Sequence, residues 1–340
     1  MVIHYSRNPV YLIKTKMKKL LYWLGYVLLT IFGLLVCAAL FVYFRGIPKY
    51  PYNPPPEIAS LQVKADSQRI TRGAKIASMQ CEGCHADPKT GLLTGHIMTD
   101  LPKEFGKVAS MNITHDPEFG IGKWTDGELY YFLRTAIRPD GHYNAIMGGY
   151  QLLADEDLYS IIAWLRSDAP SLKASKDEYP PNEPNFLVKL LCNTLFKPKP
   201  LPSSPITIPD STQSLAYGRY LACALYNCYQ CHSADFKTMN TEIPEKSEGF
   251  FGGGNPMLNL DGEIVRSANI TMSPTNGIGN WTFDEFYQAV VNGKKRNGGS
   301  LHYPMMPHTV LNTSEVRSIW EYLKTIPIIE NKVERYVEKN

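Results

Sequence analysis

Two short units concentrate the reactive side chains of this sequence: Cys81, Glu82, Gly83, Cys84, His85, and Cys228, Tyr229, Gln230, Cys231, His232. In a C-x-x-C-H unit two thiols one helical turn apart can add to the two vinyl groups of haem, while the adjacent imidazole reaches the iron. The spacing therefore predicts two covalently bound haem c groups, attached through Cys81 and Cys84 and through Cys228 and Cys231, with His85 and His232 as iron ligands. A thioredoxin-like dithiol would need a βαβ setting, and a zinc site would want further paired ligands.

A second axial ligand must follow in each copy. Met147 and Met306 are the candidates, each lying shortly before a helix signal: Asp155, Glu156, Asp157, Leu158, Ile161, Ile162, Trp164, Leu165 in the first case, and Asn312, Thr313, Ser314, Glu315, Val316, Ile319, Trp320, Leu323 in the second. Lining up these closing helices pairs Met147 with Met306. A thioether is a soft, neutral ligand that favours Fe(II) and raises the reduction potential. Met305 is a neighbouring alternative, His142, His302 and His308 would give bis-His ligation at lower potential, and either Met could simply fill a core gap.

The elements that hold these residues are duplicated. Asn112, Ile113, Thr114 through Gly120, Ile121, Gly122, Lys123, Trp124, Thr125 recurs 157 residues later as Asn269, Ile270, Thr271 through Gly277, Ile278, Gly279, Asn280, Trp281, Thr282. Two copies of one unit follow, not a solenoid of many repeats. Ile70, Gly73, Ala74, Ile76 and Leu215, Gly218, Tyr220, Leu221 predict a helix before each motif. A glycine inside a helix costs about 1 kcal/mol against alanine, so each is expected at a close crossing, under Trp164 or Tyr322 of the closing helix. Trp124 and Trp281 either donate to haem propionates or wall the pocket, and Asn112 and Asn269 are expected to fix turns.

Residues 20–44 carry no charge, and at about 1.5 Å per residue they reach about 37 Å, enough to cross roughly 30 Å of hydrocarbon. The run passes Cys37, Ala38 and Ala39 without a cleavage pattern, which favours a retained anchor over a removable signal peptide. Arg7, Lys14, Lys16, Lys18 and Lys19 precede it without an acid, so the N-terminus is expected in the cytoplasm and everything after residue 45 outside. Those five account for the chain's net charge of +3 and leave residues 20–340 at −2, which argues against a nucleic-acid partner. A 44 % hydrophobic, 20 % charged composition excludes a disordered chain and a multi-span membrane protein.

The expected organisation is a cytoplasmic N-terminus (1–19), a transmembrane helix (20–44), and a Pro-rich spacer (45–65) standing the module off the membrane. There follow a first unit (66–168), a Pro-rich segment (169–210) with a short helix near 186–195, a second unit (211–328) and a tail (329–340). Cys192 and Cys223, the leftover exported thiols, are expected to form a disulfide.

The quoted motifs resemble those of membrane-tethered dihaem bacterial cytochromes c, related to the cytochrome subunits of periplasmic alcohol, aldehyde and sugar-acid dehydrogenases. The resemblance covers both units. It implies a mainly α protein, an N-terminal transmembrane helix followed by two tandem class I type cytochrome c domains with His/Met iron. It departs from that pattern in carrying two haem motifs where three are common, in its N-terminal anchor, and in Gly148 following Met147 where proline is usual. The implied role is an electron relay on the periplasmic side of the bacterial inner membrane. It would run from a dehydrogenase or quinol-oxidising complex to a terminal oxidase or another cytochrome, with no small-molecule substrate. A peroxidase-like dihaem enzyme with one open iron, or a redox-sensing or assembly subunit, are the competing readings.

Overall fold

The computed structural model describes residues 9–148, 150–177 and 181–334, with side chains from residue 17 onward. Arg7 and the side chains of Lys14 and Lys16 lie outside the described residues. The chain is mainly helical. Helix α1 (Pro9–Arg45) contains a stretch, Met17–Arg45, long and apolar enough to cross a membrane. Its side chains from Met17 to Arg45 are exposed except Val42, as expected of a helix whose natural surroundings are apolar.

Each half is built on a crossed pair of helices. After α2 (Pro56–Ala59), helix α3 (Ser67–Gln80) leads into the short α4 (Glu82–His85), followed by α5 (Asp126–Thr135) and α6 (Asp155–Leu165). Helix α7 (Phe186–Thr194) links to α8 (Ser214–Tyr220), α9 (Cys228–His232), α10 (Phe283–Asn292) and α11 (Thr313–Leu323). Helix α3 crosses α6 and α8 crosses α11 at one glycine each. A Cβ on Gly73 would lie 1.9 Å from the Ser160 carbonyl oxygen, and a Cβ on Gly218 would lie 1.9 Å from that of Ser318. Trp164 and Tyr322 flank these contacts as the glycine spacing predicts. Only a residue without a side chain lets the two backbones meet. Capping boxes start three helices: Thr125 with Glu128, Thr282 with Glu285, and Asn312 with Glu315. Helix α6 has no side-chain cap, but Asp155, Glu156 and Asp157 complement its dipole.

Among the described residues the strands form two short antiparallel pairs, β1 (Gly106–Lys107) with β2 (Glu183–Pro184), and β3 (Pro256–Leu258) with β4 (Ile264–Arg266). One apolar core runs through both halves, and one pair of polar contacts between them is reciprocal. Lys75 of α3 donates to Glu315 of α11 at 2.7 Å, while Tyr220 of α8 donates to Asp157 of α6. In the register set by the two glycines, Lys75 and Tyr220 are equivalent, and so are Asp157 and Glu315. Arg72 also donates to Asp157 at 3.0 Å, so this fully buried carboxylate is paired.

Two expectations are corrected. The Pro-rich segment 45–65 does not stand off. The Tyr50 N–H donates to the Gly141 carbonyl at 2.8 Å, Val63 N–H to Asp126 at 2.8 Å, Tyr52 packs edge-on against Tyr131, and α2 lies against α5. Proline favoured extended chain there, but tyrosines and aliphatics between the prolines gave that chain something to bury. Cys192 and Cys223 do not pair. Cys192 is buried on α7 beside Tyr50 and Tyr143, whereas Cys223 contacts the Tyr322 hydroxyl at 3.7 Å in the second half.

Candidate functional site

Both C-x-x-C-H units form a helical turn, α4 directly after α3 and α9 beyond α8 across residues 221–227. Cys81 is the junction between α3 and α4, where its carbonyl accepts from the His85 N–H at 2.9 Å. In the second half the chain between the crossing glycine and the first thiol is two residues longer. That length is taken up by a π-helical turn, Leu221–Leu225, and by Asn227 in the left-handed conformation, at φ 52°. The adjustment lets α9 present its thiols as α4 does. Desolvation pushes the Cys81 and Cys228 thiols up to about 12 and raises those of Cys84 and Cys231, so all four are neutral near pH 7.

Each histidine is fixed twice. His85 Nδ1 lies 2.7 Å from the Met111 carbonyl oxygen and His232 Nδ1 lies 2.8 Å from that of Ala268. In the tautomer that donates from Nδ1, the Nε2 lone pair is left for a metal. Burial lowers the His85 pKa, which keeps its imidazole neutral as ligation requires. The carbonyls of the same two histidines accept from Gly95 and Gly253 N–H groups, both at 2.7 Å. Those glycines have φ of 82° and 67°, and a Cβ on either would fall within 2.4 Å of backbone atoms.

The duplicated Asn-Ile-Thr motif anchors the carbonyl that holds each histidine, because Met111 and Ala268 immediately precede it. Asn112 Oδ1 accepts from Thr114 N–H and Asn269 Oδ1 from Thr271 N–H, both at 2.9 Å, which is the expected turn role. Their Nδ2 groups do more, reaching the chain beyond the closing helix. Asn112 donates to Ser175 at 2.9 Å and Asp177 at 3.1 Å, and Asn269 to Ile329 at 2.7 Å. The Gly-Ile-Gly stretch then packs onto the same loop, with Ile121 N–H donating to Thr114 and Ile278 N–H to Thr271, each at 2.9 Å.

Met147 is half-buried against the core in the loop between α5 and α6. Met306 is 53 % exposed and Met305 half-buried in the equivalent loop. The closing helices superpose at an offset of 158 residues, since Ser160 and Ser318 make the same glycine contact. This register corrects the pairing expected from the sequence: it aligns Met147 with Met305, and Met306 lies one residue further on. The loop itself is one residue longer in the second half: Asn144 N–H bonds Ala136 and Leu301 N–H bonds Gly293, but Tyr150 N–H and His308 N–H then bond Leu133 and Val290. Among the other histidines, His142 Nδ1 lies 3.0 Å from Asp140 Oδ2 on the surface and His302 is exposed. Burial lowers the His308 pKa.

Trp124 and Trp281 pack against the core, their backbone N–H groups bonded to Ile121 and Ile278. Sequence reasoning had no signal for the Met111 and Ala268 carbonyls, which any residue can supply, nor for Tyr303. The Tyr303 hydroxyl donates to Asp100 across the two halves, and its phenol is raised by burial, by Asp100, and by Cys84 and Cys231. This bond joins the loop after the first motif to the loop that carries Met305 and Met306.

Among the described residues no three His, Cys, Asp or Glu side chains gather as the ligands of a zinc ion would. Two thiols spaced along a helical turn and a histidine with Nδ1 engaged fit haem c instead.

Comparison with known proteins finds cytochrome c subunits. The chain is 25 % identical over 276 residues to the cytochrome c subunit of a quinone-dependent alcohol dehydrogenase of Gluconacetobacter polyoxogenes, covering 77 % of this chain and 57 % of that one. It is 28 % identical over 275 residues to a fructose dehydrogenase cytochrome subunit of Gluconobacter japonicus, covering 76 % and 52 %. The chain is related to dehydrogenase cytochrome c subunits. It spans little more than half the length of these two relatives. A dihaem cytochrome c-type protein of Cereibacter sphaeroides is 28 % identical over 266 residues, covering 74 % of this chain and 83 % of the relative. No family model matches the chain.

Proposed function

We propose that this protein is a dihaem electron-transfer cytochrome c, two tandem cytochrome c domains tethered to the bacterial inner membrane by α1, with the N-terminus cytoplasmic and the domains periplasmic. The observation that carries the reading is the duplicated histidine clamp: in each half a C-x-x-C-H imidazole has its Nδ1 held by the carbonyl preceding Asn-Ile-Thr. Haem c, when bound, supplies a one-electron Fe(III)/Fe(II) couple. Cys81 and Cys84 attach one group and Cys228 and Cys231 the other. His85 with Met147, and His232 with Met306, are the iron ligands. Met306 is preferred over Met305 because its thioether is the less packed against protein. The Nδ1 bonds orient each imidazole, the two thioethers favour the reduced metal, and the shared core excludes water. Trp124 and Trp281 are assigned to the propionates. The donor is a dehydrogenase, by analogy with the relatives, and the acceptor a terminal oxidase or another cytochrome.

Mass and optical spectra of the mature oxidised protein test this. The expected result is a mass exceeding that of the polypeptide by two haems, with both irons low-spin and a sulfur-to-iron band at long wavelength. Met147→Ala and Met306→Ala should each add high-spin signal from one haem, and Met305→Ala should not. A colourless protein would refute the proposal. A native high-spin fraction with peroxide turnover would replace the relay by an enzyme.

A further inference from the structure

Helix α7 has apolar residues on both of its faces. Val188 and Cys192 are buried against the protein, while Phe186, Leu187 and Leu190 point the other way and are exposed. The chain leaves the helix through two more exposed apolar residues, Leu195 and Phe196. A nine-residue helix that keeps so much hydrocarbon outside needs an apolar partner. No acidic residue occurs from 184 to 209, and the charges closest in sequence are Lys189 and Lys197.

The position of α7 identifies that partner. On α1, exposed Tyr22 and Trp23 lie near one end and exposed Tyr43 and Phe44 near the other. From Trp23 to Tyr43 is twenty residues, about 30 Å of helix, the thickness of a hydrocarbon core bounded by two aromatic girdles. Helix α7 packs on the outer girdle. Lys189 Nζ lies 4.6 Å from the Tyr43 ring centre, Asn193 Nδ2 donates to the Gly46 carbonyl at 2.8 Å, and Val42 is the buried residue of the span. The unpartnered face thus continues the apolar surface of α1 at headgroup depth, with Arg45 and Lys189 beside the girdle for anionic lipid.

We propose that α7, with Leu195 and Phe196, is an interfacial helix that inserts its Phe186, Leu187 and Leu190 face into the bilayer crossed by α1. This rests on the reading of α1 as a membrane span. Asn185 ties the start of α7 to the first half, its N–H donating to Phe105 at 3.1 Å and its side chain to Lys103 at 3.2 Å. A second lipid contact therefore fixes the height and tilt of the haem-binding halves, which a single helix and a linker would leave free to swing.

The test uses the full-length haem-loaded protein in phosphatidylethanolamine and phosphatidylglycerol vesicles, labelled by a lipid-soluble photoactivated carbene and mapped by peptide mass spectrometry. Label is expected in the α1 peptides and in the 186–196 peptide. Leu190→Glu, at an exposed position, should cut the second label several-fold, leaving the α1 label and the haem spectrum unchanged. Label in α1 with none in 186–196 would overturn the proposal while leaving the span intact. Absence of label from both would overturn the span and the proposal together. A 186–196 peptide that stays open to a water-soluble carbene in vesicles, and is shielded only when a dehydrogenase is added, would assign this face to protein and overturn it likewise.

Discussion

The two halves hold their histidines in the same way but reach that arrangement by different routes. The first runs from Gly73 to Cys81 in unbroken α-helix; the second absorbs two extra residues in a π-turn and the left-handed Asn227. Helix α5 ends on Ala136 at φ 58° and α10 on Gly293 at φ 67°, yet both loops leave through the same backbone bond, Asn144 N–H to Ala136 and Leu301 N–H to Gly293. The bonds to the histidine, to its carbonyl and from the Asn-Ile-Thr loop agree to within about a tenth of an ångström. Geometry is kept where the candidate ligand is oriented, and the chain is free to vary where only its path matters.

The largest expected effect breaks what the halves share. Gly73→Ala and Gly218→Ala each place a Cβ 1.9 Å from a backbone oxygen of the facing helix, so the crossing must open. Each should cost about 3 kcal/mol or more, at the upper end for overpacking. Thermal or denaturant unfolding of the mature protein measures this, and a variant that melts like the parent would show that the crossing tolerates separation.

A middle-sized effect exploits a difference. A non-glycine residue in the left-handed region is strained by about 1 kcal/mol, so Ala136→Gly should stabilise the protein by about that amount. Gly293→Ala should destabilise it by about 1 to 2 kcal/mol, because the new methyl also meets Pro307 Cγ at 2.7 Å. Pro307 follows Met306, so this variant should also alter the spectrum of the second haem, whereas Ala136→Gly should leave the first unchanged. Equal spectra for both variants would mean that the α10 cap does not position the methionine loop.

These contrasts also mark how far the sequence could be read. Gly73 and Gly218 were legible because a glycine in an amphipathic helix has few other uses, and Trp164 and Tyr322 lie over them. The duplicated motif was legible as a repeat, and its asparagines as turn formers. That the same asparagines reach Ser175 and Ile329 was not, because a side-chain amide carries no mark of what it bonds far along the chain. The histidine-holding carbonyls were invisible for a plainer reason: every residue has one. Cys192 and Cys223 misled because redox compartment and leftover count say nothing about distance, and the 169–210 segment leaves them beside different tyrosines. The pairing of Met147 with Met306 misses the register of the closing helices by one residue, because the motif residues alone do not mark the register that the Ser160 and Ser318 contacts set.

The smallest effect lies on the surface of the second half, at Glu245, which has Arg219 and the Tyr322 hydroxyl beside it. Burial works to raise this carboxyl, but the bonds from Arg219 and Tyr322 outweigh it and hold its pKa below the usual range. Its contribution to stability is therefore present above an unfolded carboxyl value of roughly 4.3 and is lost as pH falls through the lower folded value. The pair is half-exposed, so Glu245→Gln should cost at most about 0.5 kcal/mol at pH 7, and nothing in acid below the folded value. An unfolding series from pH 7 to pH 3 measures the difference, and a penalty that grew toward acid would contradict the assignment.

The reciprocal contacts between the halves bear on how a duplicated chain can evolve. Two identical, unlinked units meeting about a twofold axis would have to place the same donor on both sides, and any change would strike twice. Covalent linkage removes that constraint and keeps the partners at high effective concentration. One side can then keep an ammonium at Lys75 and the other a phenol at Tyr220, each tuned to its own acid, while the crossing glycines and the histidine-holding carbonyls survive the divergence.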